Sequence, residues 1–230
     1  WGVLAVRPAE AHCAALLARR AQTPTHSYCK CLIHYCAYLL AHEADEMVIS
    51  ADATSLDASL IDSLGCWVDS SWGNCPETHR SWFGYAITWH GIVFSFRAKL
   101  EPVVALASRD AETIAAVFAV KAVLGFLIML HELGFKSPTP VPVHVDNSAT
   151  VLGAYSEKTH KDSRHMSMRI FWLREMVANN LVGIRHIATG DNFSDVFTKL
   201  LPRSKHDACR AFLMGWAAIS TVYAAFSAFA

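Results

Sequence analysis

The chain has 230 residues, with 20 Lys and Arg against 20 Asp and Glu and a formal net charge of zero. With 53% hydrophobic and 17% charged residues it can bury a sizeable core, which excludes intrinsic disorder. Zero net charge also excludes a whole-molecule pull toward polyanions, so contact with nucleic acid has to come from local basic patches.

Seven cysteines, at 13, 29, 31, 36, 66, 75 and 209, form no CxxC pair, so neither a disulfide framework nor a zinc ribbon is indicated. A reducing, intracellular compartment is expected rather than secretion. The first twenty residues carry Arg7, Glu10, Arg19 and Arg20, which is not the pattern of a secretory signal, and the opening Trp1 suits an internal piece of a longer chain.

Apolar positions Ala14, Leu16, Leu17 and Ala21 predict a helix over 8–21, and Leu32, Tyr35, Cys36, Leu39 and Leu40 a second over 24–42. Residues 1–45 therefore read as a small helical unit. From 46 to 63 the chain is acidic, rich in Ser and Ala and without a clean period, which marks a connector and a domain boundary. GCWVDSSW, SWFGYAITWH and GIVFSFRAK then predict three neighbouring strands, with His90-Gly91 as the tight turn between the last two.

Residues 108–133 form a long Ala-rich apolar pattern stopped by Gly134, the main helix. Beyond Pro138, Pro140 and Pro142, VPVHVD reads as a buried strand ending in an acid, followed by a helix just after Asp146. An amphipathic helix over 165–179, the strand VGIRHIA and a helix over 192–200 complete a mixed α/β layer domain spanning 64–214. Residues 211–230 carry no charge and just reach bilayer length, so 215–230 is expected as an apolar tail helix. It either packs on its own domain or docks to a membrane or a larger protein assembly.

Four acids stand where strand ends and helix faces can gather them: Asp69 in WVDSSW, Glu112 in SRDAETIAA, Asp146 in VHVDNSA and Asp195 in DNFSDVFTK. A lone exposed acid is usually just solvated. Several convergent carboxylates instead suit two hard cations, about 4 Å apart, clamping an in-line phosphoryl displacement.

With these motifs in order, the stretch from Gly65 to about Met214 resembles the ribonuclease H domain of copia-type retrotransposon polyproteins. The markers are VDSSWG, RSWFGY, VVALASRDAETIAA, HELGF, VHVDNSAT, SRHMSMRIFWLRE and DNFSDVFTKLLPRSKH. Upstream, RPAEAHCAALLARRAQTPTHSYCKCLIHYCAYLL is similar to the thumb-like helices that end the preceding reverse transcriptase.

The resemblance implies a ribonuclease H-like fold, a mixed five-stranded sheet flanked by helices. It assigns Asp69, Glu112, Asp146 and Asp195 as catalytic residues and as ligands of two Mg²⁺ or Mn²⁺ ions. The implied activity is metal-dependent endonucleolytic hydrolysis of the RNA strand of RNA/DNA hybrids, recognised through 2′-hydroxyls and minor-groove width. Ser70, Asn147, Ser148 and His165 are the implied substrate contacts.

Three departures from the family pattern stand out. Ser71 replaces the second acid of Asp-x-Asp-Trp, and Asp110-Ala111-Glu112-Thr113 replaces Glu-Ala-Glu-Tyr. Ile33, His34 and Ala37 occupy thumb-helix positions that are usually basic, leaving Lys30. The loss of thumb-helix basicity and the uncharged tail together motivate an alternative: a co-opted, catalytically idle fold acting as a structural or binding subunit of a larger, membrane-associated assembly.

Overall fold

The computed structural model describes residues 6–49, 64–89, 91–135, 139–156, 164–218, 220 and 222–224. Five strands, β1 (Leu64–Ser71), β2 (Trp82–Trp89), β3 (Ile92–Leu100), β4 (Val141–Val145) and β5 (Val182–His186), form one sheet in the order β3-β2-β1-β4-β5. The three early strands pair antiparallel, while β4 and β5 run parallel to β1. The expected mixed five-stranded sheet flanked by helices is present.

Central β1 is buried along its whole length, so its sequence reads as a continuous run rather than an alternation. Its two faces nevertheless divide cleanly. Leu64, Cys66 and Val68 join Phe83, Tyr85 and Ile87 of β2 against one helix, whereas Trp67 and Ala86 pack with Phe193, Val196, Phe197 and Phe212 on the opposite side.

Among the described residues two α-helices precede the sheet, α1 (Ala11–Arg19) and α2 (His26–Ala41), the latter opened by Thr25 accepting from the Tyr28 N–H at 3.2 Å. The helix covering the first face is α3 (Ser108–Glu132), where Ala111, Ala115, Ala116 and Ala119 are fully buried and let its backbone lie close to the strands. It is long and apolar enough to cross a membrane, but its packing on the sheet makes it the core helix of this domain. It stops as expected: Gly134 adopts φ 81°, and the Phe135 N–H reaches back to the Leu130 carbonyl at 2.9 Å.

Helices α4 (Ser148–Tyr155) and α5 (Arg164–Ala178) lie between β4 and β5, and α6 (Arg203–Leu213) closes the second face. The helix expected over 192–200 is instead a pair of short 3₁₀ turns, Thr189–Asp191 and Phe193–Phe197. Its local hydrogen bonding is diverted: the Asn192 side chain accepts from the Ser194 N–H and donates to the Val68 carbonyl of β1 at 3.0 Å. Pro202, which has no N–H to give, then separates these turns from α6.

The helical unit is fastened to the sheet domain. Ala9 and Ala11 are buried in the second core with Phe193 and Phe212, and Arg210 holds Asp45 at 2.8 Å. Most of the expected connector and His90 of the expected turn lie outside the described residues. Of the apolar tail, Trp216 donates to the Glu46 carbonyl at 2.8 Å and Val222 is fully buried in the second core, so these residues pack on their own domain. The rest of the tail lies outside the described residues.

Candidate metal centre

The sheet register positions the first two acids. Parallel pairing sets Val68 opposite Val145, so the residues that follow, Asp69 and Asp146, sit side by side at the carboxyl ends of β1 and β4. Glu112 comes from the start of α3, where the helix dipole favours an acid, and its Oε1 accepts the Ser70 backbone N–H at 3.2 Å. Carboxylate oxygens of Asp69, Glu112 and Asp146 all lie within 4.8 Å of one another. Asp69 and Glu112 are buried, while Asp146 is half-buried and forms the open side.

Asp195 stands in the 3₁₀ turn and joins this group through a lysine. Lys199 Nζ lies 2.6 Å from Asp195 Oδ1 and 3.4 Å from Asp69 Oδ2, and the Thr198 hydroxyl donates to Asp69 Oδ2. The turn approaches so closely because Gly84 faces Asp69 across the β1–β2 ladder: a Cβ at Gly84 would lie 2.1 Å from the Cβ of Phe197.

These side chains are electrostatically strained. Burial, together with the charges of Asp69 and Asp146, pushes the Glu112 carboxyl well above the usual range. Asp146 is raised by burial and by Asp69, and Asp195 is pushed up to about 7 by burial and by Asp69, Lys199 working the other way. Burial alone would lower Lys199, yet the carboxylates of Asp69 and Asp195 carry it above the ordinary lysine range.

The cluster fits a hard divalent cation. Every donor is a carboxylate oxygen, as suits Mg²⁺ and Mn²⁺, and among the described residues Glu112 Oε2 is buried with no hydrogen-bond partner. One ammonium against four acids leaves the site short of positive charge.

The implied substrate contacts are distributed differently. Ser70 is buried, with its hydroxyl donating to Glu101 Oε1 at 3.1 Å. Asn147 caps α4, accepting the Thr150 N–H at 3.0 Å, and Ser148 is exposed beside it. His165 begins α5, and its side chain lies outside the described residues. Trp72, just past β1, is 54% exposed and ties its indole N–H to the Ala105 carbonyl at 2.9 Å.

Three participants escape a sequence reading. Lys199 carries one signal, its spacing of four from Asp195 on a helical pattern. Thr198 carries none. Glu101 follows an edge strand, where an acid is ordinarily solvated, yet it is fully buried, its Oε2 unpaired among the described residues, and burial pushes it up to about 8.

Comparison with known proteins bears out the kinship read from the motifs. The chain is 25% identical over 210 residues, 91% of its length, to the retrovirus-related Pol polyprotein from transposon TNT 1-94 of Nicotiana tabacum. It is 22% identical over 142 residues, 62% of its length, to that from transposon RE1 of Arabidopsis thaliana. It spans 15% and 10% of those polyproteins. No protein-family model matches the chain. Among solved structures, LC11-RNase H1 in complex with RNA/DNA hybrid is 13% identical, with a TM-score of 0.47, covering 59% of this chain and 94% of that one. RNase H1 from Halobacterium salinarum is also 13% identical, with a TM-score of 0.44, covering 59% of this chain and 94% of that one.

Proposed function

We propose that this chain is a metal-dependent endonuclease that hydrolyses the RNA strand of RNA/DNA hybrids. The observation that carries the proposal is the mutual approach of Asp69, Glu112 and Asp146 within 4.8 Å at the carboxyl end of the central strands. The motif resemblance supplies the substrate class. Divalent ions bound there would activate a water and neutralise charge on the scissile phosphate.

Asp69, Glu112 and Asp146 are the residues to hold those ions, Asp69 centrally because it faces both other acids and the turn that carries Asp195. Asp195 completes the set. Lys199 holds a fixed positive charge between Asp69 and Asp195, which offsets their repulsion and keeps the 3₁₀ turn against β1. Substrate would approach from the Asp146 side, since Asp146 is half-buried whereas Asp69 and Glu112 are buried.

The idle-scaffold alternative has less support. All four acids are retained, three of them converge, and the tail residues that would dock a partner include Val222, buried in this chain's own core.

Incubation of the chain with an end-labelled hybrid and Mg²⁺ is expected to release short products with 5′-phosphates. Asp146→Asn should reduce cleavage by more than about a hundredfold, beyond what indirect partners of a metal usually account for. An unmodified, folded chain that leaves the hybrid intact overturns the proposal.

A further inference from the structure

Helix α1 reaches toward the carboxylate cluster through His12, which stands on its first turn and is only 4% exposed. The imidazole meets Trp82 of β2 edge-on, with ring centroids 4.8 Å apart and planes at 85°. Trp82 itself pairs with Ser71, two residues past Asp69. The imidazole also hydrogen-bonds the backbone of Phe197, the last residue of the 3₁₀ turn that carries Asp195.

Burial lowers His12 to about 4, so the ring is neutral at ordinary pH, while the bond to Phe197 works the other way. A backbone bond that favours the protonated ring has the carbonyl as its acceptor, so an imidazole N–H donates to the Phe197 carbonyl. Neutral imidazole has a single N–H. Among the described residues His12 Nδ1 is buried with no hydrogen-bond partner, which leaves Nε2 as the donor.

The Phe197 carbonyl belongs to the same rigid peptide unit as the Thr198 N–H. That N–H and the Lys199 N–H both bond to the Asp195 carbonyl, at 3.1 and 2.9 Å, so one peptide plane ties these residues together. From it the Thr198 hydroxyl reaches Asp69 Oδ2, and Lys199 Nζ reaches both Asp69 and Asp195. Helix α1 is anchored at both ends. Ala9 and Ala11 are buried with Phe193 and Phe197, while at the far end the Arg19 guanidinium lies 5.8 Å from the Trp82 ring centroid and 3.1 Å from Cys75 Sγ, between β1 and β2.

We propose that His12 is a positioning residue for the carboxylate centre: its N–H fixes the peptide plane from which Thr198 and Lys199 engage Asp69 and Asp195. The helical unit is thereby part of the centre rather than its neighbour. Without that N–H the Phe197 carbonyl is left unpaired in a buried setting, and the turn can satisfy it only by moving. The hold on the turn rests on these contacts alone, whereas its service to a metal ion rests on the nuclease reading.

Amide hydrogen exchange of the intact chain in EDTA reads the turn directly, because the Thr198 and Lys199 N–H groups are both bonded within it. His12→Leu should speed exchange at these two amides by about tenfold or more and leave the β1–β2 ladder unchanged. Leucine suits the position, since it also removes a buried nitrogen that has no partner among the described residues. His12→Gln carries an amide N–H at the reach of Nε2 and should keep exchange near the parent rate. Calorimetric titration with Mn²⁺ should show His12→Leu weakened by about tenfold or more, as for groups that act on a metal through its ligands, and His12→Gln close to the parent. Nitrogen-15 spectra of the parent ring need no variant: a neutral imidazole protonated on Nε2 is expected around neutral pH, and a ring protonated on Nδ1 overturns the proposal. So does unchanged exchange at Thr198 and Lys199 in a folded His12→Leu chain, an equal rise throughout β1 and β2, a His12→Gln turn as loose as that of His12→Leu, or a loosened turn with parent-like Mn²⁺ affinity. A parent that takes up no Mn²⁺ overturns the nuclease reading, and the exchange rates then still decide whether His12 holds the turn.

Discussion

Replacing Glu101 by Gln should make the fold less sensitive to alkaline pH. Glu101 is fully buried at the end of β3; Ser70 donates to its Oε1, and among the described residues its Oε2 has no hydrogen-bond partner. Burial pushes its carboxyl from 4.5 up to about 8, with the Ser70 and Ser81 hydroxyls and the Arg169 charge pulling the other way. Between those two values the folded chain holds a proton that the unfolded chain has lost, so stability falls as pH rises through that window. Over the part of that window the melts span, from pH 6 to about 8, the difference corresponds to about 3 kcal/mol at 1.36 kcal/mol per unit. Rearrangement around the newly charged group recovers part of it, leaving an expected loss of about 2 kcal/mol or more. The amide of Glu101→Gln keeps the acceptor for Ser70, adds donors and does not titrate. Thermal melts in EDTA at pH 6 and pH 9 should therefore show the parent losing about 4–8 °C more than the variant, at roughly 2–4 °C per kcal/mol for a chain of this size. Asp195 also titrates in this range but does so in both chains, so the comparison removes it. Parallel pH profiles for the two chains would refute the buried, protonated Glu101.

Lys199→Met should lower the melting temperature in EDTA, because it leaves Asp69 and Asp195 facing each other without their ammonium. Mg²⁺ should then raise the melting temperature of the variant more than that of the parent, and equal gains would refute the charge-sharing role. Gly84→Ala drives a methyl into Phe197, at 2.1 Å from its Cβ, and should cost about 3 kcal/mol in urea denaturation. Asn192→Ala removes the bonds to the Val68 carbonyl and to Ser194 from a fully buried position; a loss of about 1–3 kcal/mol is expected in the same assay.

The strands were legible because aromatic and β-branched runs in VDSSW, SWFGYAITW and VPVHV are bounded by Gly, Pro and Ser, and their ends carry the acids. Once β1 and β4 pair in parallel, Asp69 and Asp146 have nowhere to lie but together, so half of the cluster follows from the topology alone. The main helix was legible for a similar reason: its alanine-rich face and Gly134 are local features.

The turn carrying Asp195 was not, because its conformation is decided by groups remote in sequence. Phe193, Val196 and Phe197 have the spacing of a helix face, but Asn192 bonds to Val68 and Thr198 to Asp69, and those two contacts outweigh the helical ladder. The same contacts bring Lys199 into the site, so the i,i+4 pair with Asp195 was visible while its reach to Asp69 was not. Glu101 illustrates the opposite limit: only the return of the chain from β3 past Ser70 and Ser81 buries it. Acids at strand ends announce themselves, whereas the cation that balances them is placed by the tertiary fold. For that reason Lys199→Met tests the site more sharply than loss of an acid: it alters the charge balance around Asp69 while leaving all four carboxylates in place.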